Sequence, residues 1–195
     1  MTAPVAGARP AAWSSLAEAA SLAFRLHGPQ RRKGTAIPYV SHLMAVAALV
    51  LEHGGDEEQA VAALLHDAIE DCGAEHEAEI AARFGPRVAA IVRACTDAEV
   101  LPKPPWRARK EAYLAHLEGA GADALLVSAC DKLHNARAIV EDLRELGPGM
   151  MARFNAGRDG TLWYYRALAE AFARLLPGRL SAELGRAVTE MEALA

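Results

Sequence analysis

Leu64-Leu65-His66-Asp67-Ala68-Ile69-Glu70-Asp71 closes an apolar run of helical character with one histidine and three carboxylates. On a helix His66 and Glu70 stand four apart, as do Asp67 and Asp71, while Asp67 and Glu70 stand three apart. All four side chains can then meet on a patch one turn long. Burying three carboxylates together is costly unless a cation or protons compensate. A divalent metal supplies that charge economically, and a metal beside spare carboxylates points to hydrolysis.

Working outward, nearly every periodic segment has helical spacing, and no β-branched run alternates with polar residues. Ser15-Leu16-Ala17-Glu18 reads as a capping box opening a helix over 15–26, stopped by Gly28-Pro29. A loop rich in Arg, Lys, Gly and Thr leads to Pro38, and a second helix spans 39–53 before Gly54-Gly55. Asp56 can cap a third, running through the acidic cluster to Gly73. Further helices are predicted over 75–84, 86–96, 106–118, 121–144, 158–176 and 179–194. Two long connections, 98–105 with its prolines and 147–157 with Pro148 and several glycines, are of the kind that often carries function. The fold expected is all-α, one domain over 13–195 forming a bundle of about eight to ten helices, preceded by an Ala/Pro/Gly-rich tail, 1–12.

Composition narrows the function class. The 195 residues are 52% hydrophobic and 24% charged, a globular balance with a core of useful size. A net charge of −4 gives no global sign of nucleic-acid binding, so the basic run Arg31-Arg32-Lys33 reads as a local site. No window approaches the roughly 20 apolar residues of a membrane span, and residues 1–12 lack the pattern of a signal peptide. Cys72, Cys95 and Cys130 form neither a CxxC pair nor a disulfide framework, which favours a reducing cytoplasm. Cys72 and Cys130 adjoin Asp71 and Asp131, but oxygen and imidazole ligands are already at hand. Nucleic acid and membrane are excluded as partners, and a homodimer is left open.

Four residues could ligate one metal: His42 early on the second helix, His66 and Asp67, and Asp131 on a long later helix. Two imidazoles and two carboxylates suit manganese, iron or zinc better than calcium. The isolated histidines His27, His53, His76, His116 and His134 read as surface or satisfied core groups.

The pattern Arg32-Lys33-Gly34…Ile37-Pro38-Tyr39…His42, then His66-Asp67-x-x-Glu70-Asp71, then Asp131-Lys132-Leu133-His134-Asn135 resembles the HD-domain alarmone hydrolases of the Rel/SpoT family. The likeness runs from about Leu16 to Ala169. A synthetase domain or regulatory tail does not fit in 195 residues, so the stand-alone small alarmone hydrolases are the nearer likeness. The resemblance implies that His42, His66, Asp67 and Asp131 hold one Mn²⁺, another divalent transition metal being the alternative. It implies that Glu70 and Asp71 orient or deprotonate the attacking water, and that Arg32, Lys33 and Asn135 contact the nucleotide. Tyr164 and Arg158 are the nearest counterparts of an aromatic and a basic residue that reach the distal phosphates in related enzymes. Trp163 and Tyr165 read as core.

The activity implied is Mn²⁺-dependent 3′-pyrophosphohydrolysis of (p)ppGpp, the reaction that ends a stringent response. The alternative keeps the metal and changes the nucleotide, to (p)ppApp or NADPH. A non-catalytic nucleotide sensor of the same fold would be expected to lose a metal ligand or the Glu-Asp pair, and this chain has both.

Overall fold

The computed structural model describes residues 13–96 and 104–195. The expected tail, 1–12, and most of the Pro-rich connection, 98–105, lie outside the described residues. Within them are ten α-helices, one 3-10 turn and no strand. Among the described residues, nearly all the buried apolar side chains belong to one core.

α1 (Ser14–His27) stops at Gly28, but its start makes no side-chain cap of its own, so the expected Ser15–Glu18 box does not form. Glu57 Oε1 instead accepts from the Ser15 and Leu16 N–H groups at 3.1 and 3.3 Å, and Glu18 pairs with Arg83. A carboxylate distant in sequence thus satisfies donors left open at the positive end of the helix.

α2 (Val40–Glu52) is apolar around most of its circumference and packs against α1, α3 (Glu57–Leu65) and α8 (Ala122–Leu146). Between α2 and α3, a Cβ on Gly55 would lie 2.4 Å from Val50 Cγ1 and 2.9 Å from the Val50 carbonyl oxygen. Glycine is required for so close a return. Asp56 then caps α3: Gln59 N–H donates to Asp56 Oδ1 at 2.9 Å, and Asp56 N–H to Gln59 Oε1 at 2.8 Å.

The single helix expected through the acidic cluster is two. α3 ends at Leu65, and α4 (Ala68–Cys72) begins after a turn at His66-Asp67, where Asp67 has φ −99° and ψ 0°. The cause is local competition. His66 Nδ1 bonds to the Ala63 carbonyl at 2.8 Å, the acceptor that the Asp67 N–H would use in an unbroken helix. Helical bonding resumes with Asp71 N–H to Asp67 O at 2.9 Å. The bend turns His66 and Asp67 inward and leaves Asp71 at the rim.

α5 (His76–Phe84) and α6 (Pro86–Cys95) are joined by Gly85, and α7 (Trp106–Leu117) precedes α8. The 25 residues of α8 make a rod of about 37 Å at 1.5 Å per residue, which α2, α3, α6 and α10 (Arg179–Leu194) flank. Asp131 lies within this rod. The connection before α9 (Gly157–Leu175) is less irregular than its glycines suggest: Pro148–Arg153 forms a 3-10 turn that buries Met150 and Met151.

Replacing the α3 cap, Asp56→Ala, should lower unfolding free energy by about 1 kcal/mol in urea titrations. A change below about 0.3 kcal/mol would show that the cap carries no weight.

Candidate functional site

α2, the α3–α4 turn and α8 bring four of the sequence-predicted side chains into one buried pocket. His42 Nε2 lies 3.2 Å from Asp131 Oδ1 and 3.9 Å from Asp67 Oδ2. His66 Nε2 lies 3.0 Å from Asp67 Oδ2 and 3.7 Å from Asp131 Oδ1. Ligand atoms of His42, His66 and Asp67 all fall within 4.8 Å of one another. Asp131 joins them through its contacts to both imidazoles.

The hydrogen bonds behind these groups decide what the pocket can hold. The Ala63 carbonyl can only accept, so His66 carries its proton on Nδ1 and turns the Nε2 lone pair toward the carboxylates. That buried Nε2 has no hydrogen-bond partner among the described residues. His42 Nδ1 lies 2.8 Å from His134 Nδ1. Burial, reinforced by His42 and Arg32, pushes His134 down to about 4, so its ring is neutral. With His134 accepting from His42 Nδ1–H, the second Nε2 also faces the pocket as a lone pair. Lone pairs and carboxylates converging in a buried space need a positive charge. Burial disfavours the charged form of His66, yet Asp67 and Asp131 outweigh it and raise its pKa well above the usual range. A divalent cation would supply the same charge without that proton, and the mixed nitrogen and oxygen donors fit one. No cysteine belongs to the cluster, and all three thiols are free.

Three neighbours that the sequence reading did not single out as supports aim these ligands. Tyr39 Oη donates to Asp67 Oδ2 at 2.5 Å. Lys132 Nζ donates to Asp131 Oδ2 at 2.6 Å, and Asp131 raises the buried ammonium well above its usual range although burial alone would lower it. His134, an isolated histidine in the sequence, stands behind His42. The X-Pro-Tyr-x-x-His spacing and the Asp-Lys-x-His run carried these signals, but without the fold they name no partner.

Glu70 and Asp71 stand on α4. Burial and the nearby Asp67 charge raise the Asp71 carboxyl, while Gln30 Nε2 donates to its Oδ2 at 2.8 Å and opposes that shift.

Next to the pocket, a cavity of about 400 Å³ is lined by residues including Arg32, Lys33, Tyr39, Asn135, Asp142 and Tyr165. Tyr39 and Asn135 join the two regions, since Asn135 Nδ2 also donates to Asp131 Oδ1 at 2.5 Å. Lys33 Nζ donates to Asn155 Oδ1 at 2.7 Å. Arg31 is turned to the carbonyls of Gly28 and Gln30 and does not line the cavity.

The late-helix candidates fall elsewhere. Arg158 donates to the Ala195 carbonyl at 2.8 Å and pairs with Asp159. Tyr164 lies among Trp106, Trp163 and Tyr165, with Lys110 Nζ 5.0 Å from its ring centroid. Neither lines the cavity. Tyr165 is buried in the core, as expected, and also lines the cavity, because each helical residue turns about 100° from the last. Arg153, in the 3-10 turn, is the late arginine at the cavity and pairs with Asp142.

Comparison with known proteins adds to this geometry. The HD-domain family profile matches residues 19–162. Guanosine-3′,5′-bis(diphosphate) 3′-pyrophosphohydrolase MESH1 of Xenopus tropicalis is 40% identical over 134 residues, 67% of this chain and 70% of that protein. The human protein of the same name is 37% identical over 129 residues, 64% of this chain and 69% of its own length. Among solved structures, a metazoan ortholog of SpoT described as hydrolysing ppGpp superposes with a TM-score of 0.74 at 26% identity, over 94% of this chain and 97% of that one. The Listeria monocytogenes protein lmo0812 gives a TM-score of 0.67 at 28% identity, over 76% of this chain and 96% of that one.

If the pocket holds a divalent cation, Tyr39→Phe frees Asp67 and should weaken Mn²⁺ affinity by about 10- to 100-fold in calorimetric titrations. An unchanged affinity would show that Tyr39 does not aim a ligand.

Proposed function

This chain belongs to the HD-domain family, and we propose that it is a Mn²⁺-dependent hydrolase that removes the 3′-diphosphate of (p)ppGpp. The observation carrying this reading is the junction of the His42–His66–Asp67–Asp131 pocket with the cavity that Arg32 and Lys33 line, made by Tyr39 and Asn135. The names of the relatives support the same substrate.

When bound, the cation lowers the pKa of water and neutralises charge on the diphosphate. The protein's own residues do the rest. His42, His66, Asp67 and Asp131 would hold the ion, with Asn135 and Lys132 keeping Asp131 in place. Glu70 and Asp71 orient the attacking water and take its proton. Its oxygen bonds to the phosphorus attached to the ribose 3′ oxygen, that P–O bond breaks, and a proton passes to the 3′ oxygen. GDP or GTP and pyrophosphate leave. Arg32 and Lys33 bind the nucleotide from the loop.

Asp142 lines the cavity already paired with Arg153. The free thiols suit a reducing cytoplasm.

Purified protein with Mn²⁺ should release pyrophosphate from ppGpp faster than it turns over pppApp or NADPH. Chelation should stop the reaction and added Mn²⁺ restore it. Preference for either other nucleotide would overturn the substrate assignment. Asp67→Ala should abolish turnover with helical circular dichroism unchanged, and retained turnover would remove the metal from the mechanism.

A further inference from the structure

His27 is fully buried at the end of α1 and contributes to neither the metal pocket nor the cavity lining. Its Nδ1 lies 2.6 Å from Gln30 Oε1, and Gln30 Nε2 donates to Asp71 Oδ2 at 2.8 Å. The Cys72 sulfur sits 3.7 Å from His27 Nε2. With an ionised Asp71, the direction of donation along this chain is fixed. The carboxylate accepts, so the Gln30 amide must present its NH₂ group there and its oxygen to the imidazole. His27 must then carry its proton on Nδ1.

The same residue anchors the basic loop. Tyr39 N–H donates to the Gln30 carbonyl at 3.0 Å, and Arg32 N–H to Ile37 O at 2.9 Å, closing a hairpin that carries Arg32 and Lys33. Tyr39, at the far end, stacks on His27 with ring centroids 5.5 Å apart while holding Asp67. One buried imidazole therefore braces both ends of the loop, and the Gln30 amide reaches from it to Asp71.

We propose that Gln30 is a positioning residue for Asp71, held the right way round by His27, so that the substrate-binding loop and the water-handling carboxylate share one anchor. This rests on the reading of Asp71 given under the proposed function. Without the amide, Asp71 loses the donor that fixes its rotation. Misplacement on the ångström scale is enough to cost about 10²-fold in rate.

The test uses the Mn²⁺-loaded full chain with ppGpp, measuring kcat, KM and bound metal. Gln30→Ala should lower kcat by about 10- to 100-fold with KM and metal content within about twofold of the parent. Gln30→Glu, which sets a carboxylate against Asp71, should be at least as impaired. Acting through Asp71, Gln30→Ala should cost less than about twofold more in an Asp71→Ala background. In ¹⁵N NMR, the His27 ring should show the Nδ1–H tautomer. Parental kcat in Gln30→Ala beside an impaired Asp71→Ala overturns the positioning role alone. So does full additivity, a defect confined to KM or metal content, or an Nε2–H tautomer. Parental kcat in Asp71→Ala overturns the reading of Asp71, and the role of Gln30 falls with it.

Discussion

Two imidazole lone pairs and two carboxylates are directed into one buried space, at nitrogen–oxygen separations of 3.0 to 3.9 Å, and most of the architecture follows from keeping them there. Without positive charge the arrangement is repulsive and poorly solvated, so the fold must impose it. α2 contributes one imidazole, the α3–α4 turn an imidazole and a carboxylate, and α8 the second carboxylate. Each comes from an element fixed by burial: α2 is packed on several sides, α3 is buried from Gln59 to Leu65, and α8 is the central rod. The break at His66 belongs to the same constraint. It gives up regular helical bonding so that His66 can lock its tautomer on Ala63 O and Asp67 can turn inward.

Around this centre the supports are graded by charge. Lys132 lies against Asp131, the neutral phenol of Tyr39 against Asp67, and the neutral ring of His134 behind His42. Burial raises the Tyr39 phenol far above its usual pKa, and Asp67 adds to the shift, so Tyr39 remains a donor. Such outer contacts fix tautomers and rotamers before any ion binds. Tyr39 and Asn135 serve the cavity as well as the pocket, which lets a bound nucleotide and a bound ion sense the same side chains.

The fold was legible in the sequence because its signals are local. Helical periodicity, Gly28-Pro29, Gly54-Gly55 and the Asp56 cap placed nearly every helix within a few residues of its observed ends. Two features had no readable signal, one set by a distant partner and one by a side chain competing locally with the backbone. Glu57 caps α1 from 41 and 42 residues away in sequence, and the His66 bond that breaks the acidic helix has no signature in spacing. Within the site, the His-Asp pair, His42 and Asp131 were readable as a convergent donor set. Gln30, Tyr39 and His134 were not, because a supporting hydrogen bond needs a partner that only the fold supplies. Arg158 and Tyr164 do not line the cavity, whereas Tyr165, one residue on, and Arg153, in the preceding turn, do.

The cavity, the basic loop and the paired carboxylates on α4 all derive their chemical meaning from the ion. Anomalous diffraction from crystals soaked in Mn²⁺, collected at the manganese edge, therefore bears most directly on the account. It predicts a single strong peak within bonding distance of His42 Nε2, His66 Nε2 and oxygens of Asp67 and Asp131. A protein that binds no manganese there, or binds it only at another cluster, would contradict it.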